Sequence, residues 1–117
     1  MHRIALFVYG SLLSPRIVRA VIGRAPRPQR ATLQGYRRVS LRGQAYPGLL
    51  PDGAATTTGA VLHVDARELL VLDRYEGGLY RRQRVVVRLD DGTTRSAQTY
   101  VLGPGARRQR TEQPWSL

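Results

Sequence analysis

The chain has 117 residues and a formal net charge of +11, enough for one domain around a single core but not for two. It contains no cysteine, which excludes disulfides, thiolate nucleophiles and Cys-ligated metal sites. All 19 basic residues are arginine, so a Walker-type lysine and Schiff-base chemistry are excluded as well.

The first element, "RIALFVYG", is a short apolar run ending in glycine and reads as a buried strand feeding a turn. In "SLLSPRIVRAVIG", Ser14 and Pro15 have the character of an N-cap and first helical position. Ile17, Val18, Val21 and Ile22 follow at helical spacing, and Gly23 ends the helix. "RAPRPQR" is a proline-broken connector, and "ATLQGYRRVSLRG" alternates as a strand with Gly35 placed for a bulge. "AYPGLLPDG" reads as a turn-rich edge segment, and "TTTGAVLHV" as a separate β-branched strand.

In "DARELLVLDRYEGG", Asp65 caps a second helix and Glu68, three residues on, completes a capping box. "YRRQRVVVRLDDGTTRSAQTYVL" is two strands about an Asp91-Gly92 turn. Residues 1–105 thus make one domain, and 106–117 form a basic surface tail in which Trp115 is the candidate anchor. The order β-α-β-β-β-α-β-β lacks strict strand–helix alternation, which points to an α+β fold with a mixed sheet or small barrel. The longest apolar runs, "IALFV" and "RVVVRL", fall far short of the roughly 20 residues that cross a membrane. The N-terminus lacks the apolar region and cleavage site of a signal peptide, so a cytoplasmic protein is expected.

The charge raises the question of nucleic acid. The arginines are scattered, however, and the clusters Arg37-Arg38, Arg81-Arg82-Arg84 and Arg107-Arg108-Arg110 lack the interleaved aromatics of a stacking platform. Arginine standing in for lysine on a solvated surface accounts for the pattern, and argues against a nucleic-acid partner. His2 and His63 lie in unrelated settings, so a multi-histidine metal site is not expected.

Two stretches carry candidate chemistry. Leu69, Leu72 and Glu76 fall on one stripe of the second helix, so a face that buries the leucines turns Glu76 inward too. Burial and the negative end of the helix dipole both push a glutamate pKa upward, which suits a group that exchanges a proton near neutrality. The alternative is a frayed last turn in which Glu76 pairs with Arg81 or Arg82 at the surface. In "FVYGSLL", the turn at Tyr9-Gly10-Ser11 exposes several backbone N–H groups that could hold a carboxylate or oxyanion, unless it is an ordinary strand-to-helix turn. Ser11 has neither a nearby histidine nor a nucleophile elbow to activate it. Asp90-Asp91 is turn chemistry, "GPGARR" lacks the context of a phosphate loop, and Tyr80 and Tyr100 either line a pocket or pack.

"FVYGSL", "YPGLL" and "LDRYEGGLYRRQRVVV", in this order and spacing, resemble the γ-glutamylcyclotransferase-like family, with its AIG2-like and γ-glutamylamine cyclotransferase branches. The resemblance covers residues 4 to 102, and it implies a small mixed β-barrel with flanking short helices. It further implies an enzyme that cyclises a γ-glutamyl amide to 5-oxoproline and releases an amine or amino acid. Glu76 matches the family's general acid/base, and Tyr9, Gly10, Ser11 and Leu12 match the loop that binds the γ-glutamyl group. Tyr80 matches a tyrosine near the pocket, although here it follows Glu76 by only four residues. The implied chemistry needs no metal and no cofactor. The partner is a small-molecule γ-glutamyl substrate, not a membrane, and the chain is expected to be a monomer or homodimer. Leaving-group specificity stays open. So does a non-catalytic ligand-binding or regulatory module on the same fold, and, behind it, an arginine-rich nucleic-acid binder.

Overall fold

The computed structural model describes residues 3–41, 47–105 and 110–111. His2, Tyr46, Trp115 and the Arg107-Arg108 pair therefore lie outside the described residues. β1 (Ile4–Val8) is buried on both sides. Its odd residues Ala5 and Phe7 face the barrel interior beside Leu33, Leu49, Val61, Val87 and Val101. Its even residues Leu6 and Val8 face the two helices. That double burial is why "IALFV" is an unbroken apolar run with no alternation.

α1 (Pro15–Ile22) starts at Ser14, whose hydroxyl accepts from the N–H of Ile17, and stops at Gly23. A short 3-10 turn, Ser11–Leu13, lies between β1 and α1 and had no signal in the sequence. β2 (Gln29–Leu41) and β3 (Pro47–Val64) form a long antiparallel pair. The expected break between an edge segment and a β-branched strand does not occur, because β3 is one strand of 18 residues. The turn chemistry in "PDG" is real, but it sits inside that strand. The pairing jumps from Gln34–Thr56 to Tyr36–Pro51, leaving residues 52–55 as an excursion opposite the Gly35 bulge. Gly35 takes φ 89°, a conformation that costs other residues more. Asp52 accepts from the N–H of Ala54 and pairs with Arg37 at 3.3 Å, closing the excursion locally.

α2 (Ala66–Glu76) carries the predicted capping box in full, with Asp65 accepting from Glu68 N–H and Glu68 from Asp65 N–H. Arg24 grips the same Glu68 through two nitrogens, at 2.5 and 2.6 Å, and fastens the end of α1 to the start of α2. β4 (Tyr80–Leu89) and β5 (Thr94–Leu102) make the predicted hairpin about Asp91-Gly92. Around the sheet the order is β3-β1-β5-β4-β2, and β2 pairs back to β3, so five strands close a barrel. β1 and β5 are parallel, and the other pairings are antiparallel. Within the stretch read as a tail, β6 (Arg110–Thr111) adds two residues against Ser40 and Leu41 of β2. The fold is α+β, a small mixed barrel with two helices on one flank.

Candidate active site

Glu76 ends α2. Leu69 and Leu72 are buried beneath the helix at 4% and 0% exposure, and Glu76 continues their stripe to the rim of the barrel. There it lines a narrow pocket with Phe7, Val8, Tyr9, Gly10, Ser11, Leu12, Pro47 and Tyr100. The helix thus delivers its last side chain to the loop that leaves β1. Protein packed around a part-exposed carboxylate withdraws the water that would solvate its charge, and its pKa rises from 4.5 to about 7. Among the described residues no arginine comes within salt-bridge distance of Glu76. Arg82 pairs instead with Asp73, one turn earlier on α2.

The facing wall is built by the turn after β1. Its first internal bond runs from Leu13 N–H to the Gly10 carbonyl, so the N–H groups of Gly10, Ser11 and Leu12 precede it and have no acceptor inside the turn. Gly10 is required by close approach, since a Cβ there would lie 2.7 Å from the Pro47 ring. Ser11 shares a hydrogen bond with the Tyr75 hydroxyl at 3.0 Å, which joins this loop to the residue beside Glu76. Tyr9 is held at both ends. Its carbonyl accepts from Arg38 at 2.8 Å, and its hydroxyl donates to the carbonyl of Tyr100 at 2.6 Å. Burial first, then the charge of Glu76, pushes the Tyr9 phenol well above its ordinary pKa of 10.0, so it stays a donor.

The sequence candidates Tyr9, Gly10, Ser11, Leu12 and Glu76 therefore meet in one pocket. Tyr80 is not part of the lining. Its hydroxyl donates to the carbonyl of Pro47 at 2.6 Å, so it braces a residue that does line the pocket. Pro47 and Tyr100 complete the walls. Tyr100 was ambiguous in the sequence, whereas Pro47 sat in a turn-rich edge segment whose "YPGLL" entered the family resemblance without any residue of it being named for the site. Asp73, Tyr75 and Arg82 surround the site and lie within the "LDRYEGGLYRR" string, yet their pairing depends on strand register that the string does not show. A carboxylate whose pKa burial pushes up to about 7, in a pocket lined by the turn after β1, can take a proton from one atom of a bound molecule and return it to another.

Comparison with known proteins places this chain in a family. Residues 6–117 match the family described as "Gamma-glutamyl cyclotransferase, AIG2-like". AIG2-like protein C of Arabidopsis thaliana is 41% identical over 98 residues, which is 82% of this chain and 57% of that protein. AIG2-like protein D of the same plant is 38% identical over 100 residues, 85% of this chain and 64% of that protein. The chain thus spans roughly three-fifths of the length of these two relatives. A solution structure of an Arabidopsis thaliana protein superposes with a TM-score of 0.80 at 31% identity, covering 91% of this chain and 75% of the other. A structure named "Gamma-glutamyl cyclotransferase" gives the same TM-score at 19% identity, over 87% and 68% of the two chains, and shares the fold. On the family match across nearly the whole chain, and on relatives of this identity, the chain belongs to the AIG2-like γ-glutamyl cyclotransferase family.

Proposed function

We propose that this chain cyclises a γ-glutamyl amide to 5-oxoproline, with Glu76 as the general acid/base. The observation that carries the reading is the placement of the Glu76 carboxyl in a pocket walled by the Tyr9–Leu12 loop, where burial pushes its pKa up to about 7.

The substrate supplies its own nucleophile, the α-amino group. Holding the bent conformer converts the attack into a favourable intramolecular step. Glu76 takes the proton from the α-ammonium nitrogen as that nitrogen bonds to the γ-carbonyl carbon, and the carbonyl oxygen becomes an oxyanion. Collapse of this intermediate breaks the original amide C–N bond as Glu76 returns the proton to the departing nitrogen, and the second proton that the ring nitrogen must lose passes through the same carboxylate to the released amine, which leaves as an ammonium. The products are 5-oxoproline and a free amine or amino acid, with no net change in protons on the enzyme. The N–H groups of Gly10, Ser11 and Leu12 would hold the substrate's α-carboxylate or the oxyanion. Tyr9, fixed as a donor, and Pro47, braced by Tyr80, keep the acyl side of the pocket in shape.

The deciding experiment measures 5-oxoproline release from a panel of γ-glutamyl amino acids and γ-glutamyl amines, wild type beside Glu76→Gln. Release by the wild type and its loss in the variant is the expected result. A folded wild type that is silent across the panel, yet protected against thermal unfolding by 5-oxoproline, would point to the binding module instead.

A further inference from the structure

Asp73 and Glu76 lie one turn apart on the same face of α2. Beneath them, Arg82 of β4 and Tyr100 of β5 are direct cross-strand partners, so their side chains leave the sheet side by side. Both converge on Asp73. Arg82 donates from Nε to Oδ1 at 2.9 Å and from Nη2 to Oδ2 at 3.1 Å, and the Tyr100 hydroxyl donates to Oδ1 at 2.6 Å. Arg82 also donates from Nη1 to the side chain of Gln98, two residues before Tyr100. The carbonyl of the same Tyr100 accepts the Tyr9 hydroxyl. One carboxylate therefore connects the helix end that bears Glu76 to the loop on the opposite wall.

The ion pair is about 30% exposed on each side chain, and such pairs add little to stability. Their directional value is greater, because a bidentate guanidinium fixes both distance and orientation. Of the other anchors of α2, Leu69 and Leu72 pack without direction, Arg24 holds only the first turn through Glu68, and Tyr75 shares a single hydrogen bond with Ser11, while a helix frays most readily at its last turn.

We propose that Asp73 is a positioning residue which, through Arg82 and Tyr100, fixes the last turn of α2 and so sets the Glu76 carboxylate against the Tyr9–Leu12 loop. The proposal rests on the reading of Glu76 as the base. It also gives the non-catalytic letters of "LDRYEGGLYRR" a purpose, since Asp73 and Arg82 clamp the ends of the tight connection that carries Glu76.

Tyr9 after β1 and Tyr100 on β5 feel the charge of Glu76; Arg38 on β2 and Tyr80 on β4 act on Tyr9, Arg82 on β4 acts on Tyr100, and Asp73 and Tyr75 flank Glu76 on its own helix. The test follows the Glu76 carboxyl titration by ¹³C NMR in wild type, Asp73→Asn and Arg82→Gln, with kcat and KM measured in parallel. Deleting a nearby cation by itself raises a carboxylate midpoint. If Arg82 acts by position, releasing the turn lets water reach Glu76, and the midpoint falls by about one pH unit in both variants. At pH 8, where Glu76 is ionised throughout, kcat falls about tenfold while KM stays within about threefold of wild type. A midpoint that is unchanged or raised in a folded Arg82→Gln overturns the proposal. Should that variant not fold, Tyr100→Phe removes only the hydroxyl that Asp73 accepts, and an unmoved midpoint there overturns it equally. Because the midpoint is read without turnover, this arm decides the role of Asp73 even where the wild type releases no 5-oxoproline.

Discussion

The Tyr9 hydroxyl donates to the backbone carbonyl of Tyr100 at 2.6 Å, across 91 positions of sequence. β1 ends at Val8, within the pocket wall, and the phenol carries the link to β5 one residue further. Both residues are nearly fully buried. Tyr9→Phe removes the donor and leaves a carbonyl short of a partner in a dry setting, which costs about 1–2 kcal/mol. The urea midpoint should fall with the slope unchanged, and an unmoved midpoint would show that water replaces the phenol.

Glu76 also predicts a stability effect opposite in sign to its effect on chemistry. Its pKa in the folded protein, about 7, stands above the ordinary 4.5, so the fold favours the protonated form. The protonated carboxyl is fully stabilising below pH 4.5, and that contribution is lost as pH rises through 7. The loss is on the order of 3 kcal/mol. Glu76→Gln never ionises, so it should match the wild type near pH 4 and exceed it by a similar amount near pH 8. Chemical denaturation at the two pH values checks this. Equal stability of the two proteins at pH 8 would mean that the carboxylate is well solvated.

How much of this was readable beforehand depends on whether a signal is local. The stripe Leu69, Leu72 and Glu76, the box Asp65–Glu68 and the Asp91-Gly92 hairpin each lie within a dozen residues, and all three emerge as the sequence implies. The continuity of β3 was not readable, because Pro47-Gly48 and Asp52-Gly53 are strong turn signals taken alone. What overrides them is pairing with β2 on both sides of the excursion, a non-local effect. Arg82 shows the same limit inside the site. Spacing puts it in reach of either carboxylate in the last two turns of α2, Asp73 or Glu76, and only its register opposite Tyr100 assigns it to Asp73 and leaves Glu76 uncompensated. Pro47 was equally hidden, since its place beside Gly10 follows from barrel closure.

Turnover should carry the same titration. In the proposed reaction the base form of Glu76 takes the first proton, so kcat/KM should fall about tenfold per pH unit on the acid side of about 7. The midpoint lies well above that of an ordinary carboxylate because burial disfavours the charged form. A pH profile measured between 5 and 9 on one γ-glutamyl substrate tests it, with Glu76→Asp alongside. The shorter side chain withdraws the carboxyl from the pocket into better-hydrated surroundings, and the acid limb should move down with a loss of kcat of about tenfold or more. An acid limb that stays near 7 in Glu76→Asp would assign the titration to another group.

Gly10 offers a steric test of the pocket wall that leaves every charge in place. A Cβ built there would meet Pro47 Cγ at 2.7 Å and Cδ at 2.8 Å. The proline ring cannot swing aside as a long chain would, and the Tyr80 hydroxyl bonds the Pro47 carbonyl at 2.6 Å. Gly10→Ala must therefore displace either the loop or Pro47. Overpacking of this kind costs about 1–3 kcal/mol. Because the displaced atoms line the pocket beside Glu76, catalysis should suffer as well, with kcat/KM reduced about a hundredfold through a misplacement near 1 Å. Pro47→Ala in the Gly10→Ala background relieves the contact and should recover part of both losses. Additive losses in the double variant, measured as a thermodynamic cycle, would mean that the two residues do not share one wall.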